Sequence, residues 1–250
     1  MSLSADLCLS TVSHIVDALG LDEVSGDAPD AVHVLKSPMI PDAPVGRMRV
    51  FRRDGVCELM YIGLTVPPIG LDSHMLFAFS PSDSAVPHFT LDSVAGGGQP
   101  DARAEFAFHL DLIPRLDLGA HLGYLRHCFE PLTSIRADAA TIDGLSPAQL
   151  SPTQYAVMSA WMLVNRATET AFREVERAVI AYRDHWLGLV RNGVPKEALD
   201  GVGPDVIAER DRRNRAIVFD PSVDPVWGRV AQLVGADMSE VLRRRLAGTA

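Results

Sequence analysis

The stretch His74 to Asp92, HMLFAFSPSDSAVPHFTLD, sets ionisable side chains among apolar neighbours. Asp92 lies between Phe89, Leu91 and Val94. Burying an ion without a partner costs several kcal/mol or shifts its pKa, so a carboxylate there is suited to proton chemistry. His74 opens the apolar run Met75 to Phe79, and an imidazole near a carboxylate can share a proton with it because their titrations couple. On the residues alone Asp92 reads either as a proton donor or as a carboxylate hydrogen-bonded at a strand end, and His74 either as a relay or hydrogen-bond donor to a ligand carbonyl or as a satisfied core histidine. His88 alternates to the same face as Asp92, four residues along. The reading requires Asp92 and His74 to face one cavity.

The elements that would position these groups follow from the pattern. His74–Phe79 and His88–Val94 read as strands joined through the turn-forming Ser80-Pro81-Ser82-Asp83-Ser84, and so as an antiparallel pair. Further strands are expected at Val32–Lys36, Arg47–Arg52, Glu58–Val66 and Ala104–Pro114, in an antiparallel meander. Ala95-Gly96-Gly97-Gly98-Gln99-Pro100 reads as a turn, without the strand-then-helix setting of a phosphate loop. A first helix is expected over Ser4–Leu21, followed by a loop rich in Asp, Gly and Pro. Leu118–Phe129 reads as helical and Ser134–Leu150 as mostly loop. A long helix is expected from Ser151-Pro152, where serine caps and proline fits the first turn, to Gly193 and Pro195. Within it Phe172, Val175, Val179, Tyr182, Trp186 and Leu189 form an apolar stripe. Helices at Pro204–Val218 and Val226–Leu246 complete the chain. The expected class is α+β, a three-layer α/β/α sandwich with a central, mostly antiparallel sheet. One domain is expected over residues 1–250, since no linker divides them.

Composition narrows the function. A net charge of −9 argues against general nucleic-acid binding, which needs a basic surface. Cys8, Cys57 and Cys128 show no CxxC or Cys/His spacing, which points to reduced thiols rather than zinc, an iron–sulfur cluster or a disulfide framework. With no apolar run near the ~20 residues of a membrane span and no secretion-type amino terminus, a cytoplasmic protein is expected. No GxSxG elbow, HExxH or Walker-type loop supports a hydrolase or transferase.

The chain resembles the ferredoxin-dependent bilin reductases and red chlorophyll catabolite reductase. Leu71-Asp72-Ser73-His74 running into Phe79-Ser80-Pro81 is similar to their histidine-bearing strand. Val86-Pro87-His88-Phe89-Thr90-Leu91-Asp92-Ser93-Val94 is similar to the next strand, with its active-site aspartate. Asp111-Leu112-Ile113-Pro114-Arg115, with Tyr124-Leu125 and Phe129, resembles the catabolite reductase. Arg212-Arg213-Asn214, followed by Val230 to Gly235, resembles the family's C-terminal asparagine-containing helix, with Val-Gly where the family has Phe-Gly. Order and spacing hold over roughly residues 58–247.

The resemblance implies an oxidoreductase that reduces an open-chain tetrapyrrole held between sheet and C-terminal helices. It implies no bound flavin, nicotinamide or metal, with single electrons arriving from ferredoxin and protons from the protein. It gives Asp92 and His74 their proton roles and makes Asn214 a pocket residue. Two propionates need cations, for which Arg212, Arg213 and Arg215 are the first choice because guanidinium grips carboxylate with two hydrogen bonds. The chain departs from the family in two places. Met60-Tyr61-Ile62-Gly63-Leu64 lacks the acid that some members carry before the histidine strand. Near Asn214, where others carry an acid, stands Arg215, with Asp211 one turn earlier. Those losses leave open a second reading, a protein that binds a linear tetrapyrrole without reducing it.

Overall fold

The computed structural model describes residues 2–24, 33–96 and 105–249. Among the described residues nine strands build one sheet: β1 (Asp22–Glu23), β2 (His33–Ser37), β3 (Ile40–Arg53), β4 (Cys57–Val66), β5 (Leu71–Phe79), β6 (His88–Gly96), β7 (Glu105–Ile113), β8 (Leu145–Pro147) and β9 (Leu163–Ala167). Their order is β1-β3-β4-β5-β6-β7-β9-β8, with β2 also on β3, and every pairing among the described residues is antiparallel. Strands β3 to β7 follow chain order, and from β3 to β6 the short turns between them can join only antiparallel neighbours.

Alternation along these strands divides the core in two. On one face Leu59, Tyr61, Leu76, Ala78, Phe89, Leu91, Phe108 and Leu110 pack under α1 (Leu3–Leu19) and α5 (Glu169–Asn192). The α5 stripe Phe172, Val175, Val179, Tyr182, Trp186 and Leu189 is buried throughout, at about 1.5–3 kcal/mol for each large apolar side chain. Ser2 caps α1 by accepting from the Ala5 N–H, and Gly20 ends it at φ 60, a left-handed conformation that glycine adopts without strain. On the other face Met48, Val50, Met60, Ile62, Met75, Phe77 and Phe79 pack against α6 (Pro204–Val218), α7 (Val226–Val234) and α8 (Ala236–Ala247) through Phe219, Trp227, Val230, Val234, Leu242 and Leu246. The helix–sheet–helix layering is the expected sandwich.

The structure corrects the middle of the chain. Ser151 does cap a helix, in a capping box with Gln154, but that helix, α4 (Pro152–Val157), is short. Leu163–Ala167 then forms β9, which supplies backbone partners to the outer edge of β7. An apolar run of this length does not by itself distinguish helix from strand. The expected loop 134–150 contains most of α3 (Thr133–Ala139) and all of β8, after α2 (Leu122–Cys128). The last helix breaks at Gly235, φ 88, into α7 and α8. The strand starts read at Val32 and Ala104, and the turn from Gly97 to Pro100, lie outside the described residues.

Candidate functional site

A cavity of about 200 Å³ opens between the α6/α7 face of β5–β7 and the segment that carries α4. Ser73, Met75 and Phe77 from β5, Thr90, Asp92 and Val94 from β6, and His109 and Ile113 from β7 form its floor. Leu150, Gln154 and Met158 cover one side, and Val218, Phe219, Asp224, Val226 and Trp227 the other. Most of this lining is apolar. The exceptions cluster.

Asp92 and His109 are cross-strand partners, so their side chains share a face. His109 Nδ1 stands 3.7 Å from Asp92 Oδ2, an ion-pair contact too long for a hydrogen bond. Burial pushes the His109 pKa down, but Asp92, helped by the fields of Asp111 and Asp224, more than offsets this and holds it above 6.5. Burial raises the Asp224 carboxyl, even though it accepts from the Val226 N–H at 3.0 Å at the start of α7. Four buried polar atoms of the lining lack any protein partner: Asp92 Oδ1, His109 Nε2, Thr90 Oγ1 and Trp227 Nε1. Buried polar groups are nearly always hydrogen-bonded. Four orphans around one cavity therefore offer a ligand two N–H donors, a hydroxyl and a carboxylate oxygen.

The other residues singled out by sequence fall elsewhere. His74 pairs with Ser93, one position away from the Met75–Asp92 pair, and a one-residue step reverses the face. His74 is thus on the α1 side of the sheet, and the expectation that it shares a cavity with Asp92 does not hold. There Tyr61 OH donates to His74 Nδ1 at 2.7 Å, and Nε2 donates to Asp72 Oδ1 at 3.0 Å. Gly63 makes this possible, because a Cβ there would come within 2.5 Å of the Tyr61 hydroxyl. Burial acts to raise the Asp72 pKa, but hydrogen bonds from Ser2, His74 and Thr65 bring it below 3.8.

His88 does lie on the face of Asp92, as expected, but α6 covers it. The Ser80 N–H donates to His88 Nδ1, which puts the ring proton on Nε2, and that nitrogen donates to Asp211 at 2.7 Å. Burial, aided by the charge of Arg115, lowers the His88 pKa to about 3 and keeps the ring neutral. Asp211, buried beside Arg115 as well, anchors α6 and does not line the cavity. Arg215 is also committed. Its guanidinium stacks 3.8 Å from the Phe79 ring centre and donates to the Leu246 carbonyl. Arg212 and Arg213 are exposed and both pair with Glu209. Asn214 is outside the cavity lining. Sequence reasoning passed over His109, whose signal was its place in β7 on the face that Ile113 shares. It also passed over Asp224, which no local pattern marks.

No protein-family model matches the sequence, and neither does any curated protein. Among solved structures the chain is similar to phytochromobilin synthase from tomato, crystallised in complex with biliverdin. The match has a TM-score of 0.74 at 15% identity and covers 98% of this chain and 82% of that one. The resemblance read from the sequence thus holds at the level of the fold, and the chain is an α/β/α sandwich built like that of the tomato synthase.

Proposed function

We propose that this protein reduces an open-chain tetrapyrrole, taking electrons one at a time from reduced ferredoxin, with Asp92 supplying a proton. The observation that carries the reading is the cavity itself. An apolar chamber with a carboxylate and an imidazole on adjacent strands lies between sheet and C-terminal helices, in a fold whose tomato counterpart was crystallised with biliverdin. Flat conjugated rings suit the Met, Phe and Val walls. The lactam and pyrrole groups of a bilin offer the carbonyls and N–H groups that the four orphaned atoms lack.

Each electron added to the conjugated system must be matched by a proton at a chosen atom, and a positioned acid typically accelerates such a step about 10²–10⁴-fold. Asp92, on the floor with one oxygen unpaired, is placed for this. Among the described residues no Lys or Arg lines the cavity, so the propionates would project outside it, where Arg212 and Arg213 could exchange Glu209 for them. At about 200 Å³ the chamber is smaller than the ~300–1,000 Å³ of pockets for drug-sized ligands. Admitting a whole tetrapyrrole requires the cover to move, and α4, which buries no residue, is the part least held.

The test is anaerobic absorbance. Biliverdin added to the protein should shift its spectrum on binding, and reduced ferredoxin should then bleach or shift the bound pigment. Binding with no further change under reduction would leave the non-catalytic reading standing and remove this one.

A further inference from the structure

We propose that His109 is a second proton donor in this cavity, delivering one of the two protons that reduction of a double bond consumes. The inference rests on the reading of the protein as a tetrapyrrole reductase. In that reaction one π bond breaks, two one-electron donors each give one electron, and two protons complete two new bonds to hydrogen. A single carboxyl group supplies one proton before it must be reloaded from water. Two acids in one chamber can complete the reaction without that reloading.

The geometry sets His109, together with Asp92, apart from the other described groups of the lining. Its Nδ1 faces Asp92, while Nε2 is buried, without a protein partner, on a side chain that lines the cavity. A ligand atom is therefore the natural partner of Nε2. Asp92 is arranged in the same way, with Oδ2 toward His109 and Oδ1 unpaired. Thr90 and Trp227 are orphaned too, but a hydroxyl and an indole N–H can hold an oxygen without giving up a proton near neutral pH. Asp224 is engaged with the Val226 N–H at the start of α7. Among the described residues of the lining, His109 alone can carry positive charge.

The charged groups around it keep that proton available. Asp92 acts from β6, Asp111 from β7 and Asp224 from the segment before α7, and all three favour the imidazolium. Arg229 acts on this set through Asp224. Three carboxyl groups around one imidazole give a site that holds a proton until a more basic atom, such as a reduced pyrrole radical anion, takes it. Afterwards neutral His109 and the Asp92 carboxylate are both reloaded from water once the product has left.

The experiment is an anaerobic single turnover of bound biliverdin with reduced ferredoxin, followed by absorbance and electron paramagnetic resonance, for wild type, His109→Gln and His109→Asn. Both variants should bind biliverdin within about threefold of wild type, which also shows that they fold. Both should accept the first electron, then stall as a radical, with the second phase slowed on the order of 100-fold. In wild type the second phase should slow as pH rises through the histidine range, between about pH 6 and 9; the variants should lose that dependence, and added imidazole should restore part of the rate. Variants that complete turnover at the wild-type rate, or a wild-type second phase that ignores pH, would overturn the role of His109 alone. A wild type that binds pigment and never reduces it would overturn this inference together with the reading on which it rests.

Discussion

Two aspartate–histidine pairs sit on opposite faces of the same sheet. Under α1, His74 has both ring nitrogens occupied, by Tyr61 and by Asp72, and Asp72 is further held by Ser2 and Thr65. Over the cavity, His109 and Asp92 face each other at 3.7 Å, and each keeps one buried polar atom without a partner. The residue types are the same, but the remaining hydrogen-bonding capacity differs. A saturated network stabilises a fold, whereas an unsaturated one beside a cavity has something left to offer a ligand. Proximity of Asp and His in sequence therefore says little about chemistry until the register shows which face they share.

The widest separation between the two pairs should appear in catalysis. Asp92→Asn is expected to slow ferredoxin-driven reduction of biliverdin by about 10²–10⁴-fold, while His74→Gln should leave the rate within about threefold. Equal losses in single-turnover assays would erase the distinction between the faces. Next comes stability on the α1 side. Gly63→Ala forces a Cβ against the Tyr61 hydroxyl and the His74 ring, which should lower unfolding free energy by about 1–3 kcal/mol while leaving biliverdin affinity unchanged. Urea denaturation beside a pigment titration checks both halves.

The smallest effect is the most diagnostic, because the pairs should respond to pH in opposite directions. The folded-state pKa of His109 is raised above 6.5, so its contribution is fully present below that value and is lost as pH rises through the folded value. Asp72 is depressed below 3.8, so its contribution is present above that value and is lost as pH falls through the folded one. The stability cost of His109→Gln, roughly 0.5–1 kcal/mol for a partly exposed pair, should shrink on going alkaline. That of Asp72→Asn should shrink on going acid. Thermal melts across pH would show the two trends crossing, and parallel trends would mean that the pairs are not distinct.

The architecture could be read from the chain where one signal dominated. Strands β4 to β6 were legible because apolar alternation and short polar turns agree there, whereas β3 was read only from Arg47 although it starts at Ile40, and α6 was read from Pro204 to Val218 as found. The site was only half legible. Asp92 stood out as a carboxylate in an apolar strand, but its partner depends on pairing between β6 and β7, and register carries no mark in a single sequence. His74 misled for the same reason: a shift of one residue moves a side chain through the sheet. Arg215 looked like a propionate ligand because its use over Phe79 and against the end of α8 is set by helices far apart in sequence. Asp224 lies in a turn whose position comes only from how α6 and α7 close over the sheet.

The claim beneath all of this is that pigment occupies the chamber above Asp92 and not the groove around His74. Biliverdin affinity measured by absorbance titration tests it directly in two chains, Val94→Trp, which fills the chamber, and Thr65→Trp, which fills the groove beside His74 on the opposite face. The account predicts at least a tenfold loss of affinity for Val94→Trp and an unchanged value for Thr65→Trp. Full binding by Val94→Trp together with lost binding by Thr65→Trp would contradict it.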